Sequence, residues 1–370
     1  MRKLLFLMLM AFFTINISSQ TKKPSKILSK SPNGYIRCYS TEYEKNLQKK
    51  NNRRAKTDGF ENWISDKINR QKFFNNRISA IKTIPVVVHV INKGEAVGIG
   101  TNISDAQVIS QITTLNNDYR KKTGTKGYNT NPVGADANIE FALAVRDPNG
   151  NPTNGIDRIS FNVNSWTDTQ IEAVLKPSTI WDPTKYLNIW VTPDVITDIG
   201  EVLGYAQFPE ASTLDGLNYP PFTANTDGVV IGHQFFGNLD YDDGSFNLDP
   251  KYGYGRTTTH EIGHWLGLRH IWGDDTCGTD YVADTPVHKT ENYGCFTHPK
   301  PNTCTPATAD EMFENYMDYT SDTCMNIFTI NQVDRFNAVL ANSPRRKELL
   351  TSDALTPVTL YANDAELKFS

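Results

Sequence analysis

Long apolar runs, cysteine and positive charge on the body are what this sequence has least of. Beyond residue 20 no stretch approaches the roughly 18 apolar residues of a spanning helix, so a soluble body is expected. Only 5 cysteines occur in 370 residues and none makes a close Cys-x-x-Cys pair, which argues against a cysteine-built metal knuckle. A Gly-x-Ser-x-Gly elbow, a Walker loop and a dinucleotide glycine pattern are all missing, so the chemistries those motifs carry are not expected. The formal charge of -4 hides two opposite parts. Residues 21–82 hold 16 Lys+Arg against 5 Asp+Glu, a net of +11, whereas residues 83–370 hold 19 against 36, a net of -17. A body that acidic repels backbone phosphates, so nucleic acid is excluded as a partner. The same contrast suggests a basic leader seated on an acidic body. With 38% hydrophobic residues the chain is neither collagen-like, nor a coiled coil, nor wholly disordered, and its length can bury a core.

What is present begins with MRKLLFLMLMAFFTINISSQ at 1–20. Arg2 and Lys3 precede an apolar run from Leu4 to Phe13 and a small-residue exit at Ser18-Ser19-Gln20, the form of a secretory signal too short to be a stable membrane span. Residues 21–78 are polar and basic, with aromatics at Tyr35 to Tyr43 and Phe60 to Phe74. Sixty such residues bury little alone, so they read as a prosegment docked on something larger rather than an independent domain. The body is expected at 79–345, followed by a tail at 346–370. In an oxidising compartment Cys277, Cys295, Cys304 and Cys324 suggest two disulfides, with three pairings open, and leave Cys38 unpaired.

Hydrophobic periodicity organises the body. The β-branched run Ile84 to Ile91 has the length of a buried strand. Ser104 with Gln107 three residues on reads as a capping box, and Val108, Ile112, Leu115 and Tyr119 follow at helical spacing, predicting a helix over 105–120. Strands are expected at 139–145, 187–191 and 229–231, with a short edge strand at 204–208. His89, His233, His288 and His298 lack ligand spacing. Strand, helix and strand in this order fit an α/β layer.

The informative segment is TTTHEIGHWLGLRH at 257–270. On a helix His260 and His264 stand one turn apart on one face, about 6 Å between side-chain roots, which suits Zn²⁺. Glu261 reaches the metal site without being a ligand. Six residues is not a helical repeat, so His270 reaches the same metal only if the helix ends first. Gly267 permits that, because glycine accepts the left-handed conformation at little steric cost. Three protein nitrogens leave one coordination place open for water, the catalytic arrangement. Glu261 then serves as general base and returns the proton to the leaving amine.

The combined HExxHxxGxxH string resembles the metzincin metallopeptidases. HEIGHWLGLRHIWG, YVADTP at 281–286, NYMDYTSDTCM at 315–325 and FTINQVDRF at 328–336 narrow the likeness to the pappalysin family, peptidase family M43, over residues 35–345. The resemblance implies a metzincin-like α/β catalytic domain hydrolysing protein or peptide substrates. Its upper subdomain, about 79–267, would hold a twisted mixed five-stranded sheet with helices, above a mostly irregular disulfide-bonded lower subdomain at about 268–345. It further implies Met317 as the methionine turn beneath the metal, Tyr319 as support for the oxyanion, and the pairing Cys277–Cys304 and Cys295–Cys324. Cys38 is implied as the zinc ligand of a latent state in which the prosegment inhibits the enzyme intramolecularly, and Asp322 as the floor of a pocket for Arg or Lys just after the scissile bond. A structural Ca²⁺ is implied near Asp274, Asp275, Asp280, Asp284 and Thr285. A different class, a secreted metal-containing binding module without proteolytic activity, is the alternative.

Overall fold

A computed structural model describes residues 30–31, 34–73, 80–212 and 223–359. The signal segment at 1–20 and the end of the tail at 360–370 lie outside the described residues. The leader carries α1 (Ser40–Lys50) and α2 (Thr57–Phe73). In chain order the body holds β1 (Lys82–Asn92), α3 (Asp105–Tyr119), β2 (Ile139–Leu143), β3 (Ile156–Ser160) and β4 (Ser165–Thr167). Next come α4 (Asp168–Gln170), a π turn at Ile171–Leu175, α5 (Lys176–Thr179), β5 (Leu187–Thr192), β6 (Asp194–Thr197), β7 (Gly200–Val202) and β8 (Gly204–Ala206). β9 (Val229–Gly232), α6 (Arg256–Trp265) and α7 (Ile330–Asn342) complete the set.

β1 is buried almost throughout because it has neighbours on both edges and layers on both faces. β5 pairs with it in parallel on one side, while β2 and then β3 pair in parallel with its successive halves on the other. The sheet runs β2-β1-β5-β9-β8, with β8 the antiparallel edge strand. It therefore has six strands where five were expected, because the turn after Leu143 leaves the edge and returns as β3. A second, three-stranded sheet of β4, β6 and β7 was not foreseen; strands of three or four residues carry no readable alternation.

One face of the main sheet packs Val86, Val88, Ile189 and Ile231 against α3 and α6. The Ser104 hydroxyl accepts from Gln107 N and starts α3 as predicted. Gln107 does not complete the box, because its amide donates to the carbonyls of His233 and Phe236 instead. The other face, with Trp190, Tyr205 and Val230, is covered by Trp166 and by Ile36, Tyr39 and Tyr43 of the leader. The leader is thus part of a hydrophobic core, and α2 lies against α7.

After Gly267 the lower region is largely irregular and is tied by Cys277–Cys304 and Cys295–Cys324, with Cα separations of 5.6 and 5.8 Å. Closing loops of 27 and 29 residues restrains the unfolded chain by roughly 3–4 kcal/mol each in the chain-entropy account. Packing continues past the expected boundary at 345. Leu349 and Ala354 are buried, and Val145 N donates to Ala354 O. Among the described residues no helix is long and apolar enough to cross a membrane.

Candidate active site

The site is built around α6, all ten of whose residues are buried. The Asp322 carboxylate sets its start: Oδ2 accepts from the backbone N–H of Tyr254 and of Arg256, both at 3.1 Å, a favourable place for negative charge. The helix stops where Gly267 adopts φ +91°. Gly267 N then bonds His264 O and Leu268 N bonds Gly263 O, each at 2.9 Å, which turns the chain back and brings in His270.

Each imidazole is oriented by a separate acceptor. His260 Nδ1 faces Tyr316 O at 2.7 Å, His264 Nδ1 faces Leu268 O at 2.8 Å, and His270 Nδ1 faces Asp274 Oδ1 at 2.5 Å. Every Nε2 is thereby left toward a common centre. His264 Nε2 lies 3.1 Å from both His260 Nε2 and His270 Nε2. Lone pairs facing one another in a dry site repel, and a divalent cation between them turns that repulsion into ligation. Burial and the neighbouring rings hold His260 and His264 well below the usual histidine range, in the neutral form a metal needs. At His270 burial also opposes charge, but Asp274 outweighs it and the net direction is upward.

Met317 is fully buried beneath this helix. A Cβ at Gly263 would meet its sulfur at 2.5 Å, so the glycine inside the His-Glu-x-x-His run is what lets the methionine approach. Met317 O also accepts from Ile271 N at 3.1 Å, tying the turn to the chain beyond His270. The Tyr319 ring packs edge-on to His270 at 4.9 Å between centroids, and its buried hydroxyl has no partner among the described residues.

Two leader residues complete the centre. Cys38 is buried and joins the three histidines in a group whose ligand atoms lie within 4.8 Å of one another. Burial and Glu261 push its thiol up, and bound zinc acts in the opposite sense. Glu261 Oε2 accepts from Ser40 Oγ at 2.6 Å and from Cys38 Sγ at 3.4 Å, while Oε1 has no partner among the described residues. With the leader in place, burial pushes the Glu261 carboxyl up to about 7. The Ser40 hydroxyl also accepts from Ala206 N on β8 at 2.8 Å.

One residue before Cys38, Arg37 is buried with Nη2 donating to Asp322 Oδ1 at 2.7 Å and its guanidinium carbon 4.4 Å from the Tyr252 ring centroid. The other predicted acidic positions scatter. Asp274 serves His270 through Oδ1 and accepts from Thr41 Oγ1 through Oδ2, so it belongs to the zinc site. Asp284 accepts from Thr329 Oγ1 and Asn331 N at the start of α7, and Asp275 from Thr276 N. Asp280 is buried and accepts from Val282 N and Thr285 Oγ1. Away from the centre, His89 is a satisfied core group between Asp157 and Asn188.

Sequence reading did not single out Arg37, Ser40 or Tyr252. Arg37 and Ser40 flank the cysteine within two residues, but nothing in the local string tells which way each side chain points.

A family model for pregnancy-associated plasma protein-A, peptidase family M43, matches residues 167–341. An extracellular metalloprotease of Colletotrichum graminicola is 31% identical over 259 residues, 69% of this chain and 76% of the relative. Among solved structures, Tannerella forsythia mature mirolysin in complex with a cleaved peptide is 42% identical, covering 76% of this chain and 100% of that one at a TM-score of 0.63. A Tannerella forsythia promirolysin mutant is 37% identical and covers 88% of this chain and 100% of that one at a TM-score of 0.66. With three histidines converging on one centre and Glu261 beside them, this chain belongs to the pappalysin family of metzincin metallopeptidases, peptidase family M43, and is a zinc endopeptidase.

Proposed function

We propose that the chain is exported as a latent enzyme whose leader, residues 21–78, fills its own cleft, and whose matured form cuts peptide bonds just before Arg or Lys. The observation carrying this reading is that consecutive leader residues occupy both halves of the site, Arg37 on Asp322 and Cys38 among the three histidines. The cleft takes a guanidinium in a pocket of Asp322, Tyr252 and Met325, and a carboxylate with an aromatic face favours Arg over Lys. Relatives named as extracellular and as a proenzyme support export and latency.

Zinc, when bound, polarises the scissile carbonyl and activates water near neutral pH. Once Cys38 and Ser40 have left, Glu261 is free to take the proton from the attacking water and pass it to the leaving amine. Tyr319, with its unpartnered hydroxyl, donates to the developing oxyanion. Asp274 holds His270 in its ligating tautomer.

Chain direction explains why the leader survives in the site. Ile36 pairs with Val202 in the parallel sense, Leu203 N bonds Ile36 O at 3.0 Å, and Tyr39 N bonds Gly204 O at 3.2 Å. The leader therefore runs from the Asp322 pocket toward the metal. In a substrate the residue in that pocket follows the scissile carbonyl, so the substrate must run the other way, and the leader's peptide bonds face the metal with reversed polarity. Maturation by the same specificity would fall before Arg70 or Arg77. Arg70 lies within α2, where an extended cleavage conformation requires unwinding, and Arg77 lies outside the described residues.

A cleavage-site profile of matured enzyme on a peptide library tests the specificity. Wild type is expected to cut before Arg, then Lys. Asp322→Asn, which keeps an acceptor for Tyr254 N and Arg256 N, is expected to lose about 10²-fold or more in kcat/KM on Arg peptides. A wild-type profile without basic residues at that position refutes the pocket assignment.

We further propose Ca²⁺ in the lower region, with Asp280 and Thr285 nearest to it. Asp280 is buried with no salt-bridge partner among the described residues, and burial outweighs the pull of Arg335 and pushes its carboxyl up to about 6, so a divalent ion there would supply further positive charge. Asp274, Asp275 and Asp284 are engaged by His270, Thr276 and the start of α7 instead. A calcium-selective chelator is expected to lower Tm by several degrees with zinc content unchanged; an unchanged Tm removes calcium from the account.

A further inference from the structure

The leader's second anchor reverses the overall charge contrast. On α2 the carboxylate of Glu61 is buried between two arginines of the body. Arg269 Nε donates to Oε1 at 2.7 Å, Arg335 Nη1 to Oε2 at 2.7 Å, and Arg335 Nη2 to Oε1 at 3.1 Å. Arg335 is held independently of the leader, since Nε and Nη2 also reach Gly267 O at 3.2 and 2.8 Å, at the end of the zinc helix. Arg269 has its guanidinium carbon 5.5 and 5.9 Å from the ring centroids of Phe208 and Tyr281. It precedes the ligand His270 in sequence, and the Phe208 ring is 5.1 Å from the ring of His264. A single aromatic ring therefore stands between this arginine and a metal ligand. Beside the pair lies a cavity of about 650 Å³, bounded by Ile68 and Lys72 of the leader and by Tyr281, Asn331 and Arg335 of the body.

Departure of the leader takes Glu61 away and leaves the Arg335 guanidinium, still bonded to Gly267 O, and that of Arg269, against the rings of Phe208 and Tyr281, facing the vacated groove. Buried charge that has lost its counter-ion is costly, and paired arginine forks match the geometry of a carboxylate. Position identifies whose carboxylate. The leader runs parallel to residues 202–206, so a substrate with its basic residue on Asp322 runs antiparallel to them. The stretch preceding its scissile bond then passes Ala206 and continues toward Phe208, beside Arg269.

We propose that in the matured enzyme Arg269 and Arg335 form a substrate subsite for an Asp or Glu side chain a few residues before the scissile bond, vacated by Glu61 on activation. This rests on the peptidase reading and its substrate direction. The enzyme would thus select an acidic residue before the bond together with a basic one after it.

The test uses matured wild-type enzyme and peptides with Arg after the scissile bond, carrying either Glu or Gln at each of the second to fifth positions before it. At one position the Glu peptide is expected to show about ten-fold higher kcat/KM than the Gln peptide. That ratio should fall toward one with added salt and in Arg269→Gln, with Arg269→Lys intermediate. Equal rates for Glu and Gln at all four positions in wild type overturn the subsite without relying on any variant, as does a preference that survives in Arg269→Gln. An acidic preference confined to positions after the bond also overturns it. A Glu preference before the bond with no basic preference after it would sustain the subsite while refuting the Asp322 pocket, and loss of cleavage with every peptide would refute the peptidase reading on which both depend.

Discussion

Matured protein carrying Glu261→Ala is expected to keep its zinc and lose between about 10² and 10⁴-fold, or more, in kcat/KM toward a peptide with Arg after the scissile bond. The three imidazoles are positioned by Tyr316 O, Leu268 O and Asp274, none of which involves Glu261, so metal content should stay stoichiometric. Glu261→Gln should behave alike, since it fills the same volume but cannot take a proton, and this separates lost chemistry from a cavity. Metal analysis beside initial rates decides the matter. Activity within ten-fold of wild type in a zinc-loaded variant would dismiss Glu261 as the general base, and the same measurement separates an enzyme from a metal-bearing binding module.

The second large effect concerns latency. Unprocessed Cys38→Ala should cleave a short peptide faster than unprocessed wild type, because the fourth ligand position becomes available to water. The structure also limits this release. Arg37 still fills the Asp322 pocket and Ser40 still holds Glu261. Breaking a buried ion pair costs on the order of 3–5 kcal/mol, so adding Arg37→Ala should raise the rate by a further 10² to 10⁴-fold at most. Intact-mass measurement during the assay keeps self-processing from being mistaken for release. Double-variant protein that stays unprocessed, binds zinc and is as silent as wild type would end the proposal that these two residues impose latency.

Two of the leader's anchors obey different physics. Arg37 brings positive charge to an acidic body, as the composition suggests, whereas Glu61 brings negative charge to an arginine pair. The charge contrast of +11 against -17 favours encounter over long range, but the contacts that hold the leader are local and of both signs.

Much of the active site was legible because its chemistry is written at short range. A helical turn fixes the distance between His260 and His264, and a glycine that can take positive φ is enough to bring His270 back, so TTTHEIGHWLGLRH determines the metal centre within fourteen residues. The long β-branched run of β1 and the spaced apolar residues of α3 were likewise readable, since each pattern has one dominant period. The splitting of the sheet edge into β2 and β3, and the small sheet of β4, β6 and β7, were not, because segments of three to five residues are decided by their neighbours.

Only the tertiary structure decided the partners joined across long separations. Asp274 orients the zinc ligand His270, Met317 needs the missing side chain of Gly263, Arg37 meets Asp322 from 285 residues away, and Glu61 meets Arg335 from 274. Periodicity and backbone sterics act over a few residues and can be read along a string. A buried charge accepts whichever opposite charge the folded chain delivers, and that delivery depends on how every intervening element packs.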